Sequence, residues 1–533
     1  MANSPLWLFI MVRLLSVVLI QTWFVADEFW QATEIAHYMV FGYGYQTWEW
    51  QEGIRSAFYP SVLASLYKML AFVGLDHRML LIHVPRVFHA LVFAVGDYHI
   101  WKLSVMLYSK ASARWTTICL VSAWFLEYCA PRTLTSCAEM ALLSIALCYY
   151  PWRRQKECCD NSYLWIVGTA CAIRPTAAVP LLPLCLQHLW LTHSRMWLLL
   201  KYLSAVVVVG TFTVGLDTWY FGRLVVVPWR FAHFNVLSGL AAHYGTLPWH
   251  WYLTQGMPAT LTTHLIPFVL AAVCYPTRHK ELLCVCIWSV IVYSCLGHKE
   301  FRFLLPVLPL CLCIAGDYIA FVLASYSKKK DHSTRYRSAS VCIFLILPNL
   351  IAVLYLGLVH QRGPLDTVNI LQNDINTRSK SDILFLMPCH STPYFSHFHQ
   401  NISMRFLTCE PNLLQKEHYM DEADIFEQDP LTWLHQEYGQ TSSSLRQTDT
   451  VYDTKENAGS FADSRKHVEV DDVRNDFHQS VYKDLPTHLV LFDIMRDRIL
   501  YFLEQHHYQL CYEVFHAHIE DGRRSKYILV YCR

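Results

Sequence analysis

Leu6–Ala26 reads LWLFIMVRLLSVVLIQTWFVA, an apolar run interrupted only by Arg13 and Gln21 and stopped abruptly by Asp27-Glu28. A spanning helix needs about 20 such residues, because the bilayer interior offers no partner to an unpaired backbone group. A cleaved signal peptide is the competing reading, but no basic segment precedes the run and no small-x-small site follows it. Similar runs recur near 80–107, 115–131, 136–150, 163–191, 202–217, 262–275, 282–297, 303–326 and 339–359, with 163–191 broken at Arg174-Pro175. Together they predict a polytopic α-helical membrane protein with about eleven transmembrane helices.

Composition agrees with this reading. The 533 residues are 54% hydrophobic and 16% charged, with a mean hydropathy of +0.23. A net charge of +1, from 43 basic and 42 acidic residues, argues against nucleic acid as a partner, since tracking phosphates requires a basic surplus. The 19 cysteines include no C-x-x-C, which removes the zinc-ribbon and thioredoxin readings.

Loop charges set the orientation. Arg153, Arg154 and Lys156, then Arg278 and Lys280, then Lys328, Lys329, Lys330, Arg335 and Arg337 mark loops expected on the cytosolic side. With eleven crossings the N-terminus is also cytosolic. The loops 27–79 and 217–261, the link 298–302 and everything after about 360 then face the other side. Residues 1–360 are thus expected to form a membrane catalytic domain. From 361 the chain carries 26 acidic and 17 basic residues, and it reads as a soluble domain. Ile383–Met387, His488–Asp493 and Lys526–Cys532 look like strands of a small α/β layer, and 440–470 like a flexible insertion. Asn401-Ile402-Ser403 is a glycosylation sequon. Cys389 and Cys409 are the favoured disulfide pair.

Two charged clusters interrupt the apolar pattern on the non-cytosolic side. Asp27 and Glu28 are followed within thirty residues by Trp30, Gln31, Glu34, Glu49 and Arg55 among several aromatics. A carbohydrate site needs a base for a hydroxyl, donors for oxygens and flat faces for sugar rings, and this segment supplies all three. The second cluster, His298-Lys299-Glu300-Phe301-Arg302-Phe303, places three potential cations where loop charge bias disfavours them, so an anion such as phosphate is the expected partner. Between them, Asp217–Gln255 holds Trp249 and His250 as a candidate substrate wall. Arg132 and Arg174 read as structural cations at helix ends, with a lipid phosphate as the alternative partner. No Asp-x-Asp, P-loop or H-E-x-x-H occurs, so the anion is expected to meet side-chain cations, with no metal.

Asp27-Glu28-Phe29-Trp30-Gln31, Thr47-Trp48-Glu49-Trp50 with Ile54-Arg55-Ser56 and Tyr59-Pro60, and His298-Lys299-Glu300-Phe301-Arg302-Phe303 together resemble glycosyltransferase family 22. Phe234-Asn235-Val236-Leu237-Ser238, Pro248-Trp249-His250-Trp251-Tyr252 and Met387-Pro388-Cys389-His390-Ser391-Thr392-Pro393 resemble its branch acting on the glycosylphosphatidylinositol (GPI) precursor. The resemblance implies a GT-C fold in the endoplasmic reticulum (ER) membrane, with the site and C-terminal domain luminal. It also implies inverting α-1,2-transfer of the third mannose from dolichyl-phosphate mannose to the GPI precursor, with no cofactor beyond the donor. Asp27 is then the base, with Glu28 the candidate if Asp27 orients the acceptor instead. His298, Lys299 and Arg302 would stabilise the leaving phosphate, while Glu49, Arg55, Trp249, His250 and Glu300 would bind substrate. The expected surroundings are ER lipids. An α-1,2-mannosyltransferase of lipid-linked N-glycan assembly and a polytopic lipid transporter or flippase are the alternatives.

Overall fold

The computed structural model describes residues 4–152, 161–327, 333–378, 381–413, 416–438 and 484–533. Arg153, Arg154, Lys156, Lys328–Lys330 and the 440–470 segment lie outside the described residues.

The apolar runs form helices, and these helices reverse the usual soluble pattern. In Leu6–Leu19, Trp7, Met11, Leu15 and Val18 lie on an exposed stripe, while Phe9, Arg13, Ser16 and Val17 turn inward. The 3.6-residue period thus sorts apolar groups toward lipid and the charged group toward protein. Arg13 is fully buried between Asp97 at 2.7 Å and Glu127 at 2.6 Å. The run 115–131 is divided at Ala123 into Lys110–Ser122 and Trp124–Cys129. The run 163–191 breaks at Arg174-Pro175 into Tyr163–Ile173 and Ala178–Leu191, because Pro175 has no N–H to continue the ladder. Among the described residues, five helices are long and apolar enough to cross a membrane: Arg78–Leu107, Arg195–Phe221, Tyr252–Cys274, Leu308–Ser325 and Tyr336–Ile375. Leu6–Leu19, Thr135–Tyr149 and Tyr163–Ile173 are apolar but shorter, so the expected count of eleven is not established by length.

Leu308–Ser327 and Lys110–Ser122 approach so closely at Gly316 that an added Cβ would lie 2.5 Å from the Thr116 backbone nitrogen. Small residues allow this contact between helices, where lipid removes the hydrophobic drive for association.

After residue 381 the chain builds a five-stranded mixed sheet: β1 (Asp382–Leu386), β2 (Ser403–Phe406), β3 (His488–Phe492), β4 (Gln509–Phe515) and β5 (Tyr527–Cys532), in the order β2-β1-β3-β5-β4. β1 pairs parallel with β2 and β3, and β5 pairs antiparallel with β3 and β4. Alternation sorts the two faces. Ile383, Phe385, Val490, Phe492, Ile528 and Val530 pack with Trp23, Phe29, Trp30 and the helix Gly363–Ile375, joining the sheet to the loop that follows the first helix. Leu384, Leu386, Leu489, Leu491, Leu529 and Tyr531 face Phe426, Trp433, Leu434, Ile499 and Phe502. Three strands were expected; β2 and β4 are additional. Cys389–Cys409 is bridged, with Cα atoms 5.9 Å apart, and so is Cys511–Cys532 at 5.8 Å.

Candidate active site

The site begins where the first helix ends. Asp27 opens the turn entering Phe29–Thr33, a single π-helical turn, which runs into the helix Glu34–Phe41. Wide turns of this kind recur at functional positions, since the inserted residue re-aims its neighbours. The second cluster approaches from the link between Pro276–Cys295 and Leu308–Ser327. Although 275 positions separate the two in sequence, Arg302 Nη1 donates to Asp27 Oδ2 at 2.5 Å.

Arg302 is shared. Its Nε donates to Glu300 Oε2 at 2.6 Å, and its Nη2 donates to Glu300 Oε1. His298 Nε2 lies 3.1 Å from that same Oε1. On the opposite flank Glu49 Oε1 accepts from Arg55 Nε at 3.1 Å and Nη2 at 2.7 Å, and its Oε2 accepts from Gln31 Nε2 at 3.0 Å. Burial alone would raise the Glu300 carboxyl, but Arg302 and His298 outweigh it and hold the group well below the usual carboxylate range. For His298, burial opposes protonation, and Glu300 reverses the balance to raise its pKa. A cleft of about 400 Å³, open mouth included, lies beside Arg55 and is lined by Gln31, Trp50, Ser56, Tyr59, Arg174 and Phe231.

The two adjacent carboxylates have different environments. The Asp27 side chain is 21% exposed and that of Glu28 6%. Glu28 Oε2 accepts from Arg132 Nη1 at 2.6 Å, while Arg132 also donates to the Thr22 carbonyl and stacks over Tyr128. Glu28 therefore anchors the first helix end to the helix Trp124–Cys129 and its following turn, and Asp27 is the more exposed of the two carboxylates. Arg132 has the structural role expected of it; Arg174, paired with Glu139 at 2.9 Å, also reaches the cleft.

Three expected site residues lie away from the cluster. Lys299 is buried, and its Nζ donates to the carbonyls of Leu247, at 2.9 Å, and Leu296. The backbone is extended at Glu300, so alternate side chains diverge, and Lys299 ties the neighbouring loop down while His298 meets Glu300 and Glu300 meets Arg302. Trp249 is 70% exposed, and His250 is exposed with its Nδ1 3.3 Å from Thr254 Oγ1. Their neighbours do the packing instead. Trp251 meets Phe301 at 4.8 Å between ring centroids, and the Tyr252 hydroxyl lies 3.4 Å from both the Glu300 nitrogen and its carbonyl oxygen. Asn401 is exposed just before β2.

The C-terminal domain adds residues that the sequence reading left without a role. His390 is 4.7 Å from Trp30 between ring centroids, and burial pushes its pKa down to about 4 against the opposing charge of Asp27. Cys389, His390 and Cys409 lie together as metal ligands would, but the two sulfurs are joined to each other and are not available as thiolates.

Residues 4–399 match the model of the Alg9-like mannosyltransferase family. The chain belongs to that family. Relatives extend along the whole chain. It is 41% identical to the zebrafish (Danio rerio) GPI alpha-1,2-mannosyltransferase 3 over 98% of this chain and 89% of the relative. It is 39% identical to the human protein of that name over 100% and 87%, and 37% identical to the Drosophila melanogaster GPI mannosyltransferase 3 over 96% and 83%. Among solved structures, ArnT from Cupriavidus metallidurans in the apo state aligns with a TM-score of 0.60 at 12% identity, covering 99% of this chain and 98% of that one. ArnT bound to undecaprenyl phosphate gives 0.59. This Alg9-like mannosyltransferase therefore has the GT-C fold, as its sequence motifs implied.

Proposed function

We propose that this mannosyltransferase makes an α-1,2 linkage to a GPI precursor, using dolichyl-phosphate mannose, with its site on the luminal side of the ER membrane. The observation that carries the reading is the coupling of Asp27 to Arg302 close to Arg55 of the cleft, within a chain similar from end to end to GPI alpha-1,2-mannosyltransferases.

The chemistry follows from the charge arrangement. A β-linked mannosyl phosphate giving an α-linked product inverts in one displacement. Asp27 takes the proton of the attacking 2-hydroxyl, the oxygen's electron pair forms the new C1–O bond, and the C1–O bond to phosphate breaks with its electrons leaving on the phosphate. Positioned proton abstraction contributes about 10²–10⁴-fold. The phosphate needs cations more than a proton. Arg302, now bound by Asp27 and Glu300, and the neighbouring His298 provide them, and no metal is required in this scheme. Arg55, held by Glu49, which Gln31 steadies in turn, orients substrate at the cleft.

The test is transfer of radiolabelled mannose to a two-mannose GPI precursor by purified protein in lipid nanodiscs. Asp27→Asn should abolish transfer while donor binding persists. Cells lacking the protein should accumulate the two-mannose precursor. Accumulation of a truncated dolichol-linked oligosaccharide instead would reassign the acceptor. Asn401 is proposed to carry N-linked glycan, checked by a mobility shift on amidase treatment.

A further inference from the structure

The turn that presents Asp27 is gripped from behind by the C-terminal domain, and one acidic side chain dominates the grip. Glu34 has no exposed surface. Its Oε1 accepts from the Tyr394 backbone N–H at 2.8 Å and from Ser396 Oγ at 2.5 Å, and the Ser396 N–H lies 3.3 Å from Oε1 and 3.2 Å from Oε2. These donors open the short helix Phe395–Phe398, some 360 positions away. Glu34 also closes the π-helical turn, since its own backbone N–H donates to the Phe29 carbonyl. One residue thus ends the turn through its backbone and docks it through its side chain.

Neighbouring contacts repeat the pattern along the same turn. Trp30 Nε1 donates to the Thr392 carbonyl at 3.1 Å, Thr33 Oγ1 lies 3.4 Å from Ser396 Oγ, and His37 Nε2 is 3.1 Å from His399 Nδ1. A π turn is intrinsically unfavourable and persists where surrounding contacts over-determine it.

We propose that Glu34 is a positioning residue for mannosyl transfer: by docking on Tyr394–Ser396 it fixes the π-helical turn that aims Asp27, making the C-terminal domain part of the catalytic apparatus. The inference rests on Asp27 being the base. Glu34 itself reaches neither substrate nor reacting atoms. Its loss moves Asp27 within the site, and displacements of about 1 Å cost about 10²-fold in rate.

The experiment compares full-length wild type, Glu34→Ala, Glu34→Gln, Ser396→Ala and Asp27→Asn in nanodiscs, with kcat normalised to donor-binding sites. Glu34→Ala should lower kcat about 100-fold and leave the donor KM within about twofold. Glu34→Gln, whose amide oxygen can still accept the Tyr394 and Ser396 donors, should recover most of that loss. Ser396→Ala should fall between. Unchanged kcat per site in Glu34→Ala, or an equal loss in the alanine and glutamine variants, would overturn the proposal. Should Glu34→Ala not fold, an unchanged kcat in Ser396→Ala overturns it alone. Full activity in Asp27→Asn would instead remove the base assignment, an outcome separable from any effect at Glu34.

Discussion

The helical part of the chain and the region beside the cleft both assemble arginine with two carboxylates, but with different consequences. Arg13, between Asp97 and Glu127, is fully buried in the helix bundle. Arg302, between Asp27 and Glu300, is itself buried but holds carboxylates about one-fifth exposed. The bundle triad is closed to any newcomer. In the mechanism proposed here, a substrate anion would replace Asp27 as a partner of Arg302 in the cleft triad and release the carboxylate for proton transfer. The same three charges form a closed structural tie in one place and a partly exposed group in the other, and the difference is access.

Breaking the cleft triad at its carboxylate should have the largest effect. Asp27→Asn is expected to lower mannosyl transfer about 10²–10⁴-fold, with an unchanged gel-filtration profile. Breaking the bundle triad should do the reverse. Arg13→Met leaves two carboxylates unpaired, which costs about 3–5 kcal/mol, so thermal denaturation in detergent should shift down sharply while kcat per folded molecule stays near wild type. A subtler change sharpens the comparison: Arg302→Lys keeps the charge but cannot fork between Asp27 and Glu300, and kcat should fall about tenfold or more.

The smallest effect concerns pH. Burial pushes the Glu34 carboxyl up to about 7, against the opposing donors of Ser396 and Tyr394. A group whose folded pKa is raised contributes stability that is present at acid pH and lost as pH rises through 7. His37, His397 and His399 beside it are all held down by burial and act with the opposite sign, while buried Tyr67 stays neutral throughout. The contrast of wild type with Glu34→Gln isolates the carboxyl. Their melting temperatures should diverge between pH 5 and 8, wild type losing ground as pH rises, and parallel curves would count against the raised pKa.

Much of this was legible in the sequence, and the failures have local causes. Long apolar runs and their polar stops are short-range signals, so the helices, the break at Arg174-Pro175 and both charged clusters could be read directly. Pairing over 275 positions cannot, which is why Arg302 was expected to meet a phosphate and in the structure meets Asp27. Lys299 points away from the cluster for a reason charge alone does not announce: an extended backbone at Glu300 turns neighbours to opposite sides. Trp249 was chosen over Trp251 because nothing in Trp-His-Trp says which indole faces inward. β2 is only Ser403–Phe406, and β4 is exposed along Gln509–Glu513, so neither shows the continuous apolar run that marks β1, β3 and β5. Glu34 stood in the first cluster without a role, because its partners are backbone N–H groups, which no side-chain pattern announces.

β5, which follows β4 in the chain, lies inside the sheet between β3 and β4. Nearby, Trp23 donates its backbone N–H to the Gln361 carbonyl and carries Arg524 over its ring at 4.3 Å. Residues early in the chain are therefore secured by residues made much later. The nascent chain must hold an unfinished first loop until this strand is made, and a stop codon just before β5 would leave β4 cut off from β3.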